Sequence, residues 1–151
     1  MKIVINDCYG GFEMSPQAIS LYCFYKGIPI NFYKQTQYKH EDKIDIYEKI
    51  KKEDIDKENG FLIYPTFKET EDKIYHFPEC YFNTRNIKRN DLSLVRVVEE
   101  LGEKSSGPCS KLKVEEIEDG SLYKIKEYDG LETIVSMELD ERWEIAKTED
   151  N

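Results

Sequence analysis

Two stretches of this chain carry both a start and a stop signal for a helix, and the strand-like segments around them set the fold class. Ser15-Pro16 reads as an N-cap followed by the first helical position, and Gly27 as the closing residue. Between them Ile19, Tyr22, Cys23 and the stem of Lys26 fall at helical spacing. Residues 2–6, rich in β-branched side chains, precede this helix as a strand, and a tight loop, Asp7-Cys8-Tyr9-Gly10-Gly11-Phe12, connects the two. Residues 28–33 follow as a second strand. The clearest helix has Asn90 at its expected cap, Leu94, Val97, Val98 and Leu101 as its apolar stripe, and Gly102 as its stop.

Residues 60–64 read as a strand, with 73–77 as its partner across a turn at 69–72. Strands are also expected at 112–117, 122–125 and 131–135, the last two joined at Asp129-Gly130. The heavily charged stretch 35–59 reads either as a short amphipathic helix through Ile44, Tyr47 and Ile50 or as a solvated insertion. The end of the chain, charged around Trp143, reads as a terminal helix or a tail. With no repeat and no linker, the expectation is one α+β domain over 1–151, a mixed or antiparallel sheet with two or three helices.

At 151 residues the chain is long enough for a real core, and eleven Tyr and seven Phe argue against disorder despite 35% charged residues. No apolar run approaches a membrane span, and residues 1–5 lack the features of a signal peptide, which predicts a cytoplasmic protein with no membrane partner. Cys8, Cys23, Cys80 and Cys109 are scattered without CxxC spacing, and His40 and His76 complete no zinc pattern. The expected thiols are reduced and half buried, and no metal or cofactor is implied. A net charge of −9 repels polyanions and disfavours a nucleic-acid polymer as partner.

Against that acidity, two of the four arginines, Arg85 and Arg89, lie in one short segment with Lys88, flanked by Tyr81 and Phe82. Guanidinium forks suit phosphate, each charge-assisted bond contributing about 1.5–3 kcal/mol. The segment therefore reads as an anion site for a phosphate-bearing ligand. The bland alternative is that both arginines pair with surface carboxylates, which contributes little. If 81–82 is extended, one aromatic faces inward and the other is free to stack on a base. Gly10-Gly11 reads as a turn requiring positive φ, or as a backbone cradle for phosphate. Cys8 with His76 is a conceivable nucleophile–base pair without a supporting motif. The paired carboxylates Glu99-Glu100 and Glu115-Glu116 read as solvated faces.

Two blocks taken together carry a family resemblance. One runs from Lys2 through Gly10-Gly11-Phe12 to Ser15. The other combines Arg89-Asn90-Asp91 and the helix to Gly102 with Gly107, the strand at 112–117, and Glu127-Tyr128-Asp129-Gly130. Over roughly residues 1–33 and 80–135 the chain resembles the first described family of Thoeris anti-defence proteins of phages. The resemblance implies a molecular sponge that binds, without cleaving, the cyclic ADP-ribose isomers made by bacterial TIR-domain enzymes. It also implies cyclic oligonucleotides at separate sites, and a homo-oligomer with pockets at subunit contacts. Carried onto this chain it points to Phe82, Asn83, Arg85 and Arg89, with Asn90 and Lys111 after them. The charged 35–59 region and the missing basic-aromatic tail depart from the family's pattern. The rivals are a nucleotide hydrolase or transferase and an acidic protein–protein inhibitor of a host defence protein.

Overall fold

A computed structural model describes residues 1–38 and 44–136. In chain order the regular elements are β1 (Lys2–Asn6), α1 (Pro16–Lys26), β2 (Asn31–Gln37), β3 (Ile46–Lys49), β4 (Ile63–Thr66), β5 (Lys73–Ile74), α2 (Leu92–Leu101), β6 (Leu112–Glu116), β7 (Tyr123–Tyr128) and β8 (Leu131–Ser136). Short 3-10 turns occupy Lys52–Lys57, Thr84–Asn86 and Gly102–Ser105. The chain is a mixed α+β protein, and among the described residues every strand pair is antiparallel. The strands form three small sheets: β1-β6, β4-β2-β3-β5 and β7-β8.

Alternation along two strands explains how these sheets are held together. On β1, Val4 points into the main core, while Ile3 and Ile5 point the other way, onto Ile117 and the half-buried Ile125 and Ile134 of the β7-β8 hairpin. On β2, Phe32 joins the main core and Tyr33 faces the opposite side, with Tyr47, Ile74 and Tyr64. The helices fill the space between the sheets. Ala18, Ile19, Tyr22 and Cys23 of α1 meet Leu94, Val95, Val97 and Val98 of α2. At about 25 cal/mol per Å² of apolar area, each fully buried aliphatic side chain of this set contributes roughly 1.5–3 kcal/mol.

α1 begins and ends where its sequence signals lie. The Ser15 hydroxyl accepts from the Ala18 N–H, and Gly27, at φ +66°, returns its N–H to the last turn. For α2 the cap shifts by one residue. Asp91, not Asn90, accepts from the N–H groups of Ser93 and Leu94, at 2.8 and 3.1 Å. Lys26 Nζ, 2.8 Å from the Asp91 carboxylate, and the Tyr22 hydroxyl, at 3.2 Å, tie the two helices together there. A carboxylate wins the position because it can serve the N–H groups, the ammonium and the phenol at once.

Two further expectations are corrected. Residues 46–49 form strand β3 rather than part of a helix, because Tyr47 pairs with Gln35 on one side and Ile74 on the other. Lys73-Ile74 therefore pairs with β3, and β4 instead pairs with β2, so the anticipated 60–64/73–77 hairpin does not form. Tyr33 is fully buried, and its hydroxyl bonds Thr70 and the Glu71 carbonyl, which pulls residues 67–74 across the outer face of the sheet. The expectation around Trp143 lies outside the described residues. No helix among the described residues is long and apolar enough to cross a membrane.

Candidate functional site

The site begins at a buried amide. Asn6, at the end of β1, has no exposed surface and a side chain that joins three segments. Its Nδ2 donates to the Cys8 carbonyl at 2.9 Å and to the Gly130 carbonyl at 2.7 Å, and its Oδ1 accepts from the Lys111 N–H at 2.8 Å. A polar side chain with all these bonds made is tolerated in a core, and it fixes the geometry of what it holds. Here it fixes the tip of the β7-β8 hairpin against the glycine loop.

That tip is the Asp129-Gly130 turn, with φ of +49° and +85°, the geometry a two-residue hairpin requires. It presses on Gly10-Gly11 so closely that a Cβ on Gly130 would stand 2.2 Å from the Gly11 nitrogen. Gly10 (φ +131°) gives its N–H to the Asp129 carbonyl at 3.2 Å. Both glycines take positive φ, as a turn requires, and the Gly10 amide is engaged by the hairpin.

Beside this contact opens a cleft of about 340 Å³ lined by Gly10, Gly11, Phe12, Arg85, Arg89, Glu127, Asp129, Gly130 and Glu132. The two arginines differ in state. Arg89 sits over the Phe12 ring, its Cζ 3.4 Å from the centroid. Its Nη2 bonds Glu132 Oε2 at 3.3 Å, and its Nη1 is buried with no partner among the described residues. Burial pushes the Arg89 pKa down while the Glu132 carboxylate opposes that shift. Arg85 is exposed, and no carboxylate among the described residues lies within ion-pair distance of its guanidinium. Gly11 makes room for it, since a Cβ there would come 3.1 Å from Arg85 Nη2. Glu13 faces Arg85 at longer range; burial raises its pKa, and a backbone hydrogen bond and the Arg85 charge pull it back.

Of the residues anticipated from sequence, Gly10, Gly11, Arg85 and Arg89 meet in this cleft. The others stand elsewhere. Phe82 stacks on Tyr22, with centroids 6.1 Å apart, and packs on Phe67 at 4.9 Å, so it is the inward member of the aromatic pair. Tyr81 is the outward one, in contact with Tyr64 and Phe77. Asn83 accepts from the Arg85 N–H and caps the short 3-10 turn that carries Arg85. Asn90 is exposed, with its amide 3.8 Å from the Met1 sulfur. Lys111 is exposed, and its backbone serves Asn6 and Asp7. Cys8 donates to the Cys109 carbonyl at 3.3 Å while His76 is engaged with the Phe77 carbonyl, so neither thiol nor imidazole is poised for the other. All four cysteines are free: Cys23 is buried, whereas Cys80 and Cys109 are exposed rather than half buried.

Sequence reasoning missed the carboxylates. Glu132 is 7% exposed and also accepts from the Asn6 N–H at 2.9 Å. The readable signal was its place two residues before Ile134, on the apolar face of β8, where a lone charge needs a partner. Two larger depressions, of about 810 and 740 Å³, lie beside β2-β3 and between β6 and β8. The first interleaves lysines with carboxylates, such as Lys49 with Glu69 at 2.7 Å, and neither contains an arginine. The cleft with both arginines therefore has the stronger chemistry despite its size. Comparison of the chain with protein-family models, curated proteins and solved structures gives no match.

Proposed function

We propose that this chain is a sponge for a cyclic ADP-ribose-type signal, holding the nucleotide without transforming it and so acting as a phage anti-defence protein in the host cytoplasm. The observation that carries the reading is the convergence of Arg85 and Arg89 on one cleft from a segment remote from its other walls. Arg85, with no carboxylate among the described residues within ion-pair distance, offers a guanidinium fork for a phosphate. The carboxylates of Glu127 and Asp129 suit the other half of such a ligand, because ribose hydroxyls donate to carboxylates. A cleft of about 340 Å³ is small for a dinucleotide-sized molecule, at the low end of ligand pockets. A second copy of the chain closing over it supplies the missing wall, in line with a homo-oligomer.

Titration with cyclic ADP-ribose tests this. Arg85→Ala should lose about 1.5–3 kcal/mol of binding, tenfold or more, with the fold unchanged. Ligand released by heating the complex should be chemically intact. Unchanged affinity in Arg85→Ala would remove the cleft from the account, and a hydrolysed product would favour the enzyme reading. Cyclic oligonucleotides, titrated separately, report whether a second site exists.

A further inference from the structure

The depression of about 740 Å³ between β6 and β8 is lined by residues of β8 and by none of β7. The register of the hairpin fixes what β8 presents there. Leu131 and Tyr128 pair directly across the two-residue turn and bond each other, and so does every second pair outward, Thr133 with Lys126 and Val135 with Lys124. The N–H and C=O groups of Glu132, Ile134 and Ser136 therefore point away from β7. Among the described residues β8 pairs with no other strand, and no backbone bond reaches Ile134 or Ser136 on that side. An open edge of this kind is a template for a further strand. The ground beside it is apolar below and acidic around. Ile5 and Ile117 lie at the floor, Ile134 on the wall, and Leu122, 67% exposed, at one end. Of the charges, Lys113 is matched by Glu115 at 2.7 Å and Glu132 by Arg89 at 3.3 Å. Asp7, Glu116 and Glu118 remain, with no cation among the described residues within ion-pair distance.

We infer that this groove receives an extended, cationic segment of another protein, added to β8 as a third strand. Main-chain bonds to Ile134 and Ser136 hold the segment in line. Its apolar side chains settle on the isoleucines and Leu122, and its lysines or arginines reach the three free carboxylates of the rim. Complementary charge of this kind steers the encounter and sets which partners are accepted. A second copy of the chain is a poor occupant on the same ground: residues 131–136 include no lysine or arginine, and each copy brings a net charge of −9. The groove shares only Glu132 with the arginine cleft, so the two sites can be occupied, and tested, separately.

The probe is an eight-residue peptide alternating lysine and valine, titrated into the full chain with amide hydrogen exchange read residue by residue. In the free protein the Ile134 and Ser136 amides should exchange freely. At saturating peptide they should slow about tenfold or more, while Thr133 and Val135, already bonded to β7, change less. The same peptide with glutamate in place of lysine should not bind. Replacing the exposed pair, Glu116→Gln with Glu118→Gln, should weaken the lysine peptide about threefold or more. No binding at millimolar peptide, slowing spread evenly over all four amides, or an affinity indifferent to the two carboxylates would each overturn the proposal. So would protection of Ile134 and Ser136 without peptide: growing with protein concentration, it would seat a second copy in the groove, and independent of concentration, a segment of the same chain.

Discussion

Replacing Gly130 by alanine should separate the hairpin from the glycine loop. The added Cβ would sit 2.2 Å from the Gly11 nitrogen and 2.7 Å from the Gly10 nitrogen, well inside any allowed contact, and both obstacles are backbone. Gly130 also has φ +85°, a conformation that costs a residue with a side chain about 1–2 kcal/mol. The hairpin cannot back away without stretching the bonds from Asn6 to the Gly130 carbonyl and from Gly10 to the Asp129 carbonyl. Each buried group left unpaired costs about 1–3 kcal/mol. With partial relaxation the loss of stability should be about 3–5 kcal/mol, a severe effect for one methyl group. Urea unfolding followed by circular dichroism measures it, provided the slope of the transition is unchanged. Gly120→Ala is the control: it too has positive φ, at +85°, but nothing within 4 Å, so it should cost only the backbone share. If Gly130→Ala costs no more than Gly120→Ala, the close approach of hairpin and loop is not what holds the site together.

Phe82→Ala should destabilise the fold by about 2–3 kcal/mol, because the ring packs between Tyr22 and Phe67, and it should leave the affinity of the refolded protein for phosphate ligands nearly unchanged; thermal denaturation and titration separate the two. Asp91→Ala should cost about 1–2 kcal/mol through loss of the α2 cap and the Lys26 contact, whereas Asn90→Ala should be near neutral, as urea midpoints will report. Burial alone would raise the Asp91 pKa, but the bonds from Lys26, Leu94 and Ser93 outweigh it and hold the carboxyl below its usual 3.8. The stabilisation is therefore complete above that value and is lost as pH falls through the lower, folded-state pKa. Wild-type and Asp91→Ala stabilities should accordingly converge toward the acid end of a pH series.

Elements whose instructions are local were legible in the sequence. Ser15-Pro16 and Gly27 delimit α1 because caps act within one turn, and Asp129-Gly130 makes a hairpin because its two residues alone determine the turn. The Asn90 cap was misassigned because Asp91 is adjacent and equally competent, and only Lys26 and Tyr22, some 65 residues away, decide between them. Strand β3 was missed for a related reason. Tyr47 and Ile50 lie at a spacing that also fits a helix, and the pairing that settles the matter involves Gln35 and Ile74. Within the cleft, arginines stood out by scarcity in an acidic chain. The carboxylates opposite them were hidden by abundance, and Glu132 is distinguished from the other acidic residues only by its burial.

The position of Asn6 has a consequence for how the chain acquires its structure. Its three partners lie at the beginning of the chain, near residue 110 and at residue 130, so no part of the cleft can mature until the β7-β8 hairpin has been synthesised. During translation β1 waits without β6, its apolar Ile3 and Ile5 uncovered for more than a hundred residues. Closing so long a loop is slow compared with zipping up a local helix pair. The helices α1 and α2 can therefore dock early, while the cleft takes shape last and all at once.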